Sequence, residues 1–223
     1  MHLSASLKKM PYILDLQNVT LDYLVAFCLG ILFSVTINAE AQAFVAQILG
    51  DVRSSDKTRF HFNAFRHLDI LGTIAFFIAG FGWPRNVDVD TSKFKHPRLY
   101  SVIVQCSGPA ANFILASIVS SFCLIVEQFS IDSRMFKIVL GVNLMMAVSN
   151  LLPFPPLALG KIPATIIPER YKRFKKTFFQ VSPYLLATLL FLERSSQIGI
   201  VNYFLVPIFS PVFGFFTKSY TFG

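Results

Sequence analysis

The chain has 223 residues, of which 54% are hydrophobic, 15% are aromatic and only 14% are charged. This composition excludes an ordinary water-soluble domain and indicates a membrane protein. The formal net charge of +8 is assigned to membrane topology and to anionic lipid headgroups, since no nucleic-acid-binding motif accompanies it. No nucleic-acid partner is therefore expected.

Three long stretches contain no charged side chain. Residues 99–126 number 28, and residues 138–160 and 195–217 number 23 each, whereas a membrane-spanning helix needs about 20 residues. The sequence therefore predicts an all-α, polytopic membrane protein with about 4–6 membrane segments.

The chain divides into three predicted regions. Residues 1–20 form an N-terminal segment outside or at the surface of the membrane, without the continuous apolar run of a cleavable signal peptide. Residues 21–160 form the membrane core, whose first span is predicted from residue 21 to residue 50. Residues 161–223 form a basic cytoplasmic segment and C-terminal hydrophobic helices, the first of them interrupted by Pro183.

Basic residues are unevenly distributed between the apolar stretches. Segments 51–69, 85–98 and 161–176 hold 4, 4 and 6 Lys or Arg residues, whereas segments 1–20 and 127–137 hold 2 each. The positive-inside rule places the three more basic segments in the cytoplasm, where we expect them to contact anionic lipids.

The uncharged stretch 70–84 has both flanks on this cytoplasmic side. Its 15 residues are too few for a full crossing. The sequence therefore predicts a re-entrant hairpin that enters and leaves by the same face.

Six blocks of sequence carry a family resemblance. They include Gly108-Pro109-Ala110-Ala111-Asn112 and Asn150-Leu151-Leu152-Pro153. The six blocks are 35–51, 63–73, 80–83, 94–98, 108–112, and 150–157 with Asn143. In order and spacing they resemble the short prokaryotic site-2 proteases, which are intramembrane zinc metalloproteases. The resemblance covers residues 35–161 and implies a site-2-protease-like core.

The resemblance implies a His-Glu-x-x-His motif on the first core helix. Its two His residues bind zinc and its Glu activates water, while an Asp from a later helix is the third ligand. This chain has Asn38, Ala39 and Gln42 at the three motif positions and Ala158 at the position of the Asp. We therefore predict no metal, no cofactor and no catalytic residue.

Several polar residues remain near these degenerate positions. Asn38 and Gln42 are expected to find polar partners, because unpaired amides are unfavourable in a membrane core. With Glu40, Asn112 and Asn150 they are the candidate residues of a groove that receives a partner. Asn112, Asn143 and Asn150 are alternatively internal hydrogen bonders.

The ionisable residues near this region allow several interpretations. Glu40 is expected near the cytoplasmic end of its helix or against a basic residue of a partner, and a proton or cation role stays open. His61 and His67 are interpreted as loop or interface residues.

The predicted protein is a non-catalytic subunit of a larger membrane complex. It is expected to be a multi-pass protein of a prokaryotic cytoplasmic membrane whose partners are other integral membrane proteins. Two alternatives stay open: an active metalloprotease with an atypical site, and a small carrier or channel that uses Glu40.

Overall fold

The computed structural model describes residues 19–52, 62–163, 168–196 and 200–218. The segment before residue 19 and most of the loop after the first helix, including His61, lie outside these ranges. Within the described ranges the chain is helical, and sheet-like pairing is confined to one antiparallel bridge between Leu68 and Pro84. The prediction of an all-α fold is confirmed.

Eight α-helices follow one another in the described ranges. They are α1 (Leu21–Ile48), α2 (Ala64–His67), α3 (Ile70–Ala79), α4 (Pro97–Gln128), α5 (Arg134–Ser149), α6 (Ala158–Lys161), α7 (Lys172–Ser196) and α8 (Ile200–Lys218). Short 3₁₀ turns, Thr91–Lys93 and Glu169–Tyr171, precede α4 and α7.

Helices α1 and α4 are the two in the described chain that are long and apolar enough to span a membrane. They have 28 and 32 residues, or about 42 and 48 Å at about 1.5 Å per residue. Both exceed the hydrocarbon thickness of about 30 Å. The total of about 4–6 membrane segments stays a prediction.

The core of the fold is formed by α1, α4 and α5, each of which packs along the other two. Every residue from Leu140 to Ser149 is buried, so α5 is the central helix. Gly30 lets α1 approach it closely, since a Cβ at this position would lie 3.1 Å from Cβ of Val142. The crossing of these two helices therefore depends on a small residue.

Residues 70–84 fold back on themselves. Asp69 caps α3 by accepting a hydrogen bond from the amide of Gly72 at 2.8 Å, and it also accepts one from the Trp83 indole at 3.0 Å. Gly80 ends the helix in the left-handed conformation, φ 77°, which glycine adopts without steric strain. The amide of Arg85 then donates to the carbonyl of His67 at 2.7 Å, so the segment begins and ends at the same place.

The C-terminal helices share the core of residues 21–160. Helix α7 packs on α3 and α8 packs on α5. The shared cluster joins Leu186, Leu190, Leu205 and Phe209 to buried residues of α4 and α5. The predicted region 161–223 is therefore not packed as a separate unit in its described parts.

Helix α7 continues through Pro183, where the sequence predicted an interruption. A proline cannot donate to the carbonyl four residues earlier, which is that of Phe179. The Ser182 hydroxyl donates to this carbonyl instead, at 3.4 Å. This side-chain bond is one of the ways in which a helix tolerates an internal proline.

The Gly72→Ala variant tests the close contact within the hairpin. A Cβ there would lie 2.1 Å from the Trp83 carbonyl oxygen, which is backbone and cannot rotate away. We expect the free energy of unfolding in detergent to fall by about 1–3 kcal/mol. The matched control is Gly214→Ala in α8, where a Cβ meets nothing within 4 Å and helix propensity favours alanine. Equal effects of the two variants would contradict this account.

Candidate functional site

A buried polar stripe runs along α1. Ser34, Asn38 and Gln42 follow one another at intervals of four residues, so they share one face of the helix. Their exposed fractions are 0%, 1% and 4%. Polar side chains buried this deeply need hydrogen-bond partners.

The partners are other carboxamides, one on α1 itself and two on the other core helices. Gln42 Nε2 donates to Asn38 Oδ1 at 2.7 Å, and Asn38 Nδ2 donates to Asn112 Oδ1 at 2.6 Å. Asn112 Nδ2 contacts Asn143 Oδ1 at 3.1 Å and the Ser34 carbonyl at 2.9 Å. We call the series Gln42, Asn38, Asn112 and Asn143 the amide chain. It connects α1, α4 and α5, and it gives Asn38 and Gln42 the polar partners that the sequence predicted.

The backbone of α4 lies directly against the amide chain. A Cβ on Gly108 would stand 2.5 Å from Asn38 Oδ1 and 2.7 Å from Gln42 Nε2. Only glycine therefore fits at this point without displacing the two amides. At this point the backbone of α4 is therefore in close contact with the amides of α1.

Ala158 occupies the position at which the family resemblance implies an Asp, and its backbone amide is hydrogen-bonded. Asn150 Oδ1 accepts a hydrogen bond from the Ala158 amide at 2.9 Å, and Asn150 Nδ2 donates to the Met146 carbonyl at 2.7 Å. Gly160 lies so close to the preceding turn that a Cβ would meet the Phe154 carbonyl carbon at 2.1 Å. The turn that presents residue 158 is therefore well defined, but the side chain it presents is a methyl group.

These residues do not fit a zinc ion. Zinc takes imidazole, thiolate or carboxylate ligands, whereas the two ligand positions on α1 carry amides that are bonded to each other. Position 39, where the water-activating Glu is expected, carries an alanine that is 0% exposed. In the part of the chain that the structure describes, no group of three or more His, Cys, Asp or Glu side chains could hold a metal ion.

Glu40 and His67 lie next to each other in the structure. Glu40 Oε1 lies 2.9 Å from His67 Nε2, and it accepts a hydrogen bond from the Phe62 amide at 3.1 Å. Both side chains are largely buried. Glu40 therefore has a basic neighbour within its own chain, and this contact does not require a basic residue of a partner. His67 is a packed residue rather than a loop residue.

The five groove candidates are all buried within the chain itself. Asn38, Glu40, Gln42, Asn112 and Asn150 are each at most 4% exposed. A partner could reach them only if the helices separated.

Lys161 was counted above among the six cations of the basic segment 161–176. It ends α6 and is half-buried. Burial lowers the pKa of its amine to about 8, and the nearby carboxylate of Asp69 opposes that shift. Lys161 is therefore partly shielded from solvent and lies near the carboxylate that caps α3.

Sequence reasoning missed three features of this region. The bonds from Asn112 to Ser34, the contact of Gly108 with the amides and the Glu40–His67 pair all join distant parts of the chain. Only Ser34 left a signal, since it extends the spacing of Asn38 and Gln42 by one more turn.

Replacement of Asn112 by leucine tests the structural role of the amide chain. Leucine has a similar volume but leaves the Asn38 donor and the Asn143 acceptor without this partner, so we expect a loss of about 1–3 kcal/mol in the free energy of unfolding. The control on the same helix is Ser117→Ala, because Ser117 is only partly buried and its hydroxyl donates to the Phe113 carbonyl of its own helix. A loss for Asn112→Leu no larger than that of the control would show that the amide chain is not stabilising.

Comparisons with known proteins support the resemblance. The curated protein "Putative zinc metalloprotease YwhC" of Bacillus subtilis (strain 168) is 34% identical over 147 residues, which cover 62% of this chain and 67% of that protein. No family model matches the chain. No solved structure matches it either. The relative, the motif blocks and the two apolar helices agree, and the chain is therefore a membrane protein that belongs to the site-2 protease family.

Proposed function

We propose that this chain is a non-catalytic member of its family, a pseudoprotease. The observation that carries the proposal is the closed amide chain at the positions where the family has its zinc ligands. Asn38 Oδ1 accepts from Gln42 Nε2 and Asn38 Nδ2 donates to Asn112 Oδ1, so both polar atoms of Asn38 and the amino group of Gln42 already have partners within the protein. Amide oxygens are also much weaker ligands for zinc than imidazole or carboxylate.

The chemistry of peptide hydrolysis is missing at the same place. Attack by water on a peptide needs a group that takes a proton from the water. Ala39 offers a methyl group, and the next residue, Glu40, is directed to His67 and the Phe62 amide rather than to the amide chain. The buried carboxylate therefore acts as a structural bond between α1 and the segment around α2.

The proposed role is that of a structural or binding subunit of a larger membrane complex. The scaffold has specific interactions throughout: Asp69 holds the hairpin through Gly72 and Trp83, and Asn150 holds the turn before Ala158. A precise scaffold without catalytic groups is typical of a binding function. Since the former site is buried, partner contacts are assigned to the outer surface of the helices.

Zinc analysis tests the non-catalytic proposal. The purified chain should contain no stoichiometric zinc and should not cleave a transmembrane peptide, because neither three strong ligands nor a base is present. The matched variant combines Asn38→His, Ala39→Glu, Gln42→His and Ala158→Asp, and it is expected to retain zinc under the same conditions. One equivalent of zinc in the unchanged chain, lost on Gln42→Ala, would contradict the proposal and favour the active enzyme.

Crosslinking in native membranes tests the subunit role. The chain should be recovered with another integral membrane protein in stoichiometric amount, both after crosslinking and after purification in mild detergent. Membranes from cells without the chain provide the control for nonspecific recovery. Recovery of the chain alone by both routes would contradict the subunit role, and liposome flux with Glu40→Gln would then test the carrier alternative.

A further inference from the structure

The beginning of α7 carries a dense group of cations. Glu169–Tyr171 forms a 3₁₀ turn and α7 follows at once, and the first turn of α7 contains no acidic residue. We define the basic strip by its five cationic residues. These are Arg170, Lys172, Arg173, Lys175 and Lys176.

The basic strip is unfavourable for the helix that contains it. The N-terminus of a helix is the positive end of its dipole, so cations there lower helix stability. Arg173 and Lys176 are three residues apart, and like charges at this spacing repel each other. The strip is therefore not explained by the stability of α7 alone.

Few interactions inside the protein offset this charge. Arg170 lies over the ring of Tyr171, 4.7 Å from its centre. Among the described side chains, Arg173 and Lys176 are exposed and form no ion pair with a carboxylate. These two exposed cations are therefore accessible to an anion outside the described part of the chain.

The exposed side of α7 changes character farther along the helix. The row of Ser182, Leu186 and Leu190 is buried against the rest of the protein. The other side exposes large apolar residues over about 17 Å of helix. These are Val181, Tyr184, Leu185, Phe191 and Leu192. One exposed surface therefore changes from cationic to apolar within the length of a single helix.

Aromatic residues lie within the cationic part. Phe174 is 63% exposed and Tyr171 is 47% exposed. Exposed aromatic rings next to Lys and Arg are typical of residues at the depth of lipid headgroups, where the ring contacts acyl chains and the cation contacts phosphate.

We propose that the basic strip binds the phosphate groups of anionic phospholipids while the apolar side of α7 contacts their acyl chains. The charge of the strip complements an anionic headgroup layer, and the apolar surface that follows it complements hydrocarbon. An acidic protein would complement the cations but not the exposed apolar side chains that follow them between residues 181 and 192. The occupant of this surface is therefore a phospholipid rather than an acidic protein.

Native mass spectrometry of the full chain in mild detergent tests the proposal with phosphatidylglycerol and phosphatidylcholine as probes. The unchanged chain should retain phosphatidylglycerol in preference to phosphatidylcholine. A variant with Arg170→Gln, Arg173→Gln, Lys175→Gln and Lys176→Gln should bind phosphatidylglycerol at least about tenfold more weakly, since each cation near an anionic surface contributes roughly fivefold in affinity. Its binding of phosphatidylcholine should not change.

Two control variants separate a specific surface from general charge. Arg85→Gln, Lys93→Gln, Lys95→Gln and Arg98→Gln remove the same charge from another basic segment, and the loss of phosphatidylglycerol binding should be smaller than in the variant of the basic strip. Lys175→Arg with Lys176→Arg keeps the charge and should keep the binding. Melting temperatures in neutral detergent show whether each variant is folded.

Three results would overturn the proposal. The first is unchanged phosphatidylglycerol binding by the variant of the basic strip. The second is an equal loss in the Arg85 to Arg98 control, which would show that only net charge matters. The third is a chain that shows no preference for phosphatidylglycerol but binds polyglutamate through the strip, which would identify an acidic protein as the partner.

Discussion

A buried amide in an apolar core is stable only when both its donors and its acceptor are satisfied, and the centre of this fold is arranged around that requirement. Asn112 bonds α1 through Asn38 and Ser34, and it bonds α5 through Asn143. These bonds determine how α1 and α5 are rotated against α4. The close approach at Gly108 follows from the same geometry, because the amides occupy the space that a larger side chain would need.

Two parts of the scaffold are held by atoms other than the side chain at position 158. Asn150 holds residue 158 through its backbone amide, so the bond is independent of the side chain at that position. The hairpin is likewise held by Asp69, Trp83 and backbone groups. The turn before residue 158 and the hairpin therefore keep these bonds whatever side chain position 158 carries.

The sequence was informative where the signal was local. The boundaries of α1 and α4 agree with the predicted apolar stretches, and the short uncharged stretch 70–84 indicated a segment that folds back on itself. The pairing of Glu40 with His67 could not be predicted, because it depends on how the loop after α1 returns to it. The continuity of α7 through Pro183 was also missed, since one hydroxyl replaces the absent backbone donor.

The contact between Gly108 and the amides limits the size of the side chain that position 38 can carry. A Cβ on Gly108 would already stand 2.5 Å from Asn38 Oδ1, so the backbone of α4 closes off the space beyond this amide. A neutral imidazole has one donor and one acceptor nitrogen and could in principle bond both Asn112 and Gln42, but its larger ring would have to fit against the same stretch of α4. Residue 38 is therefore sensitive to side-chain volume as well as to hydrogen bonding.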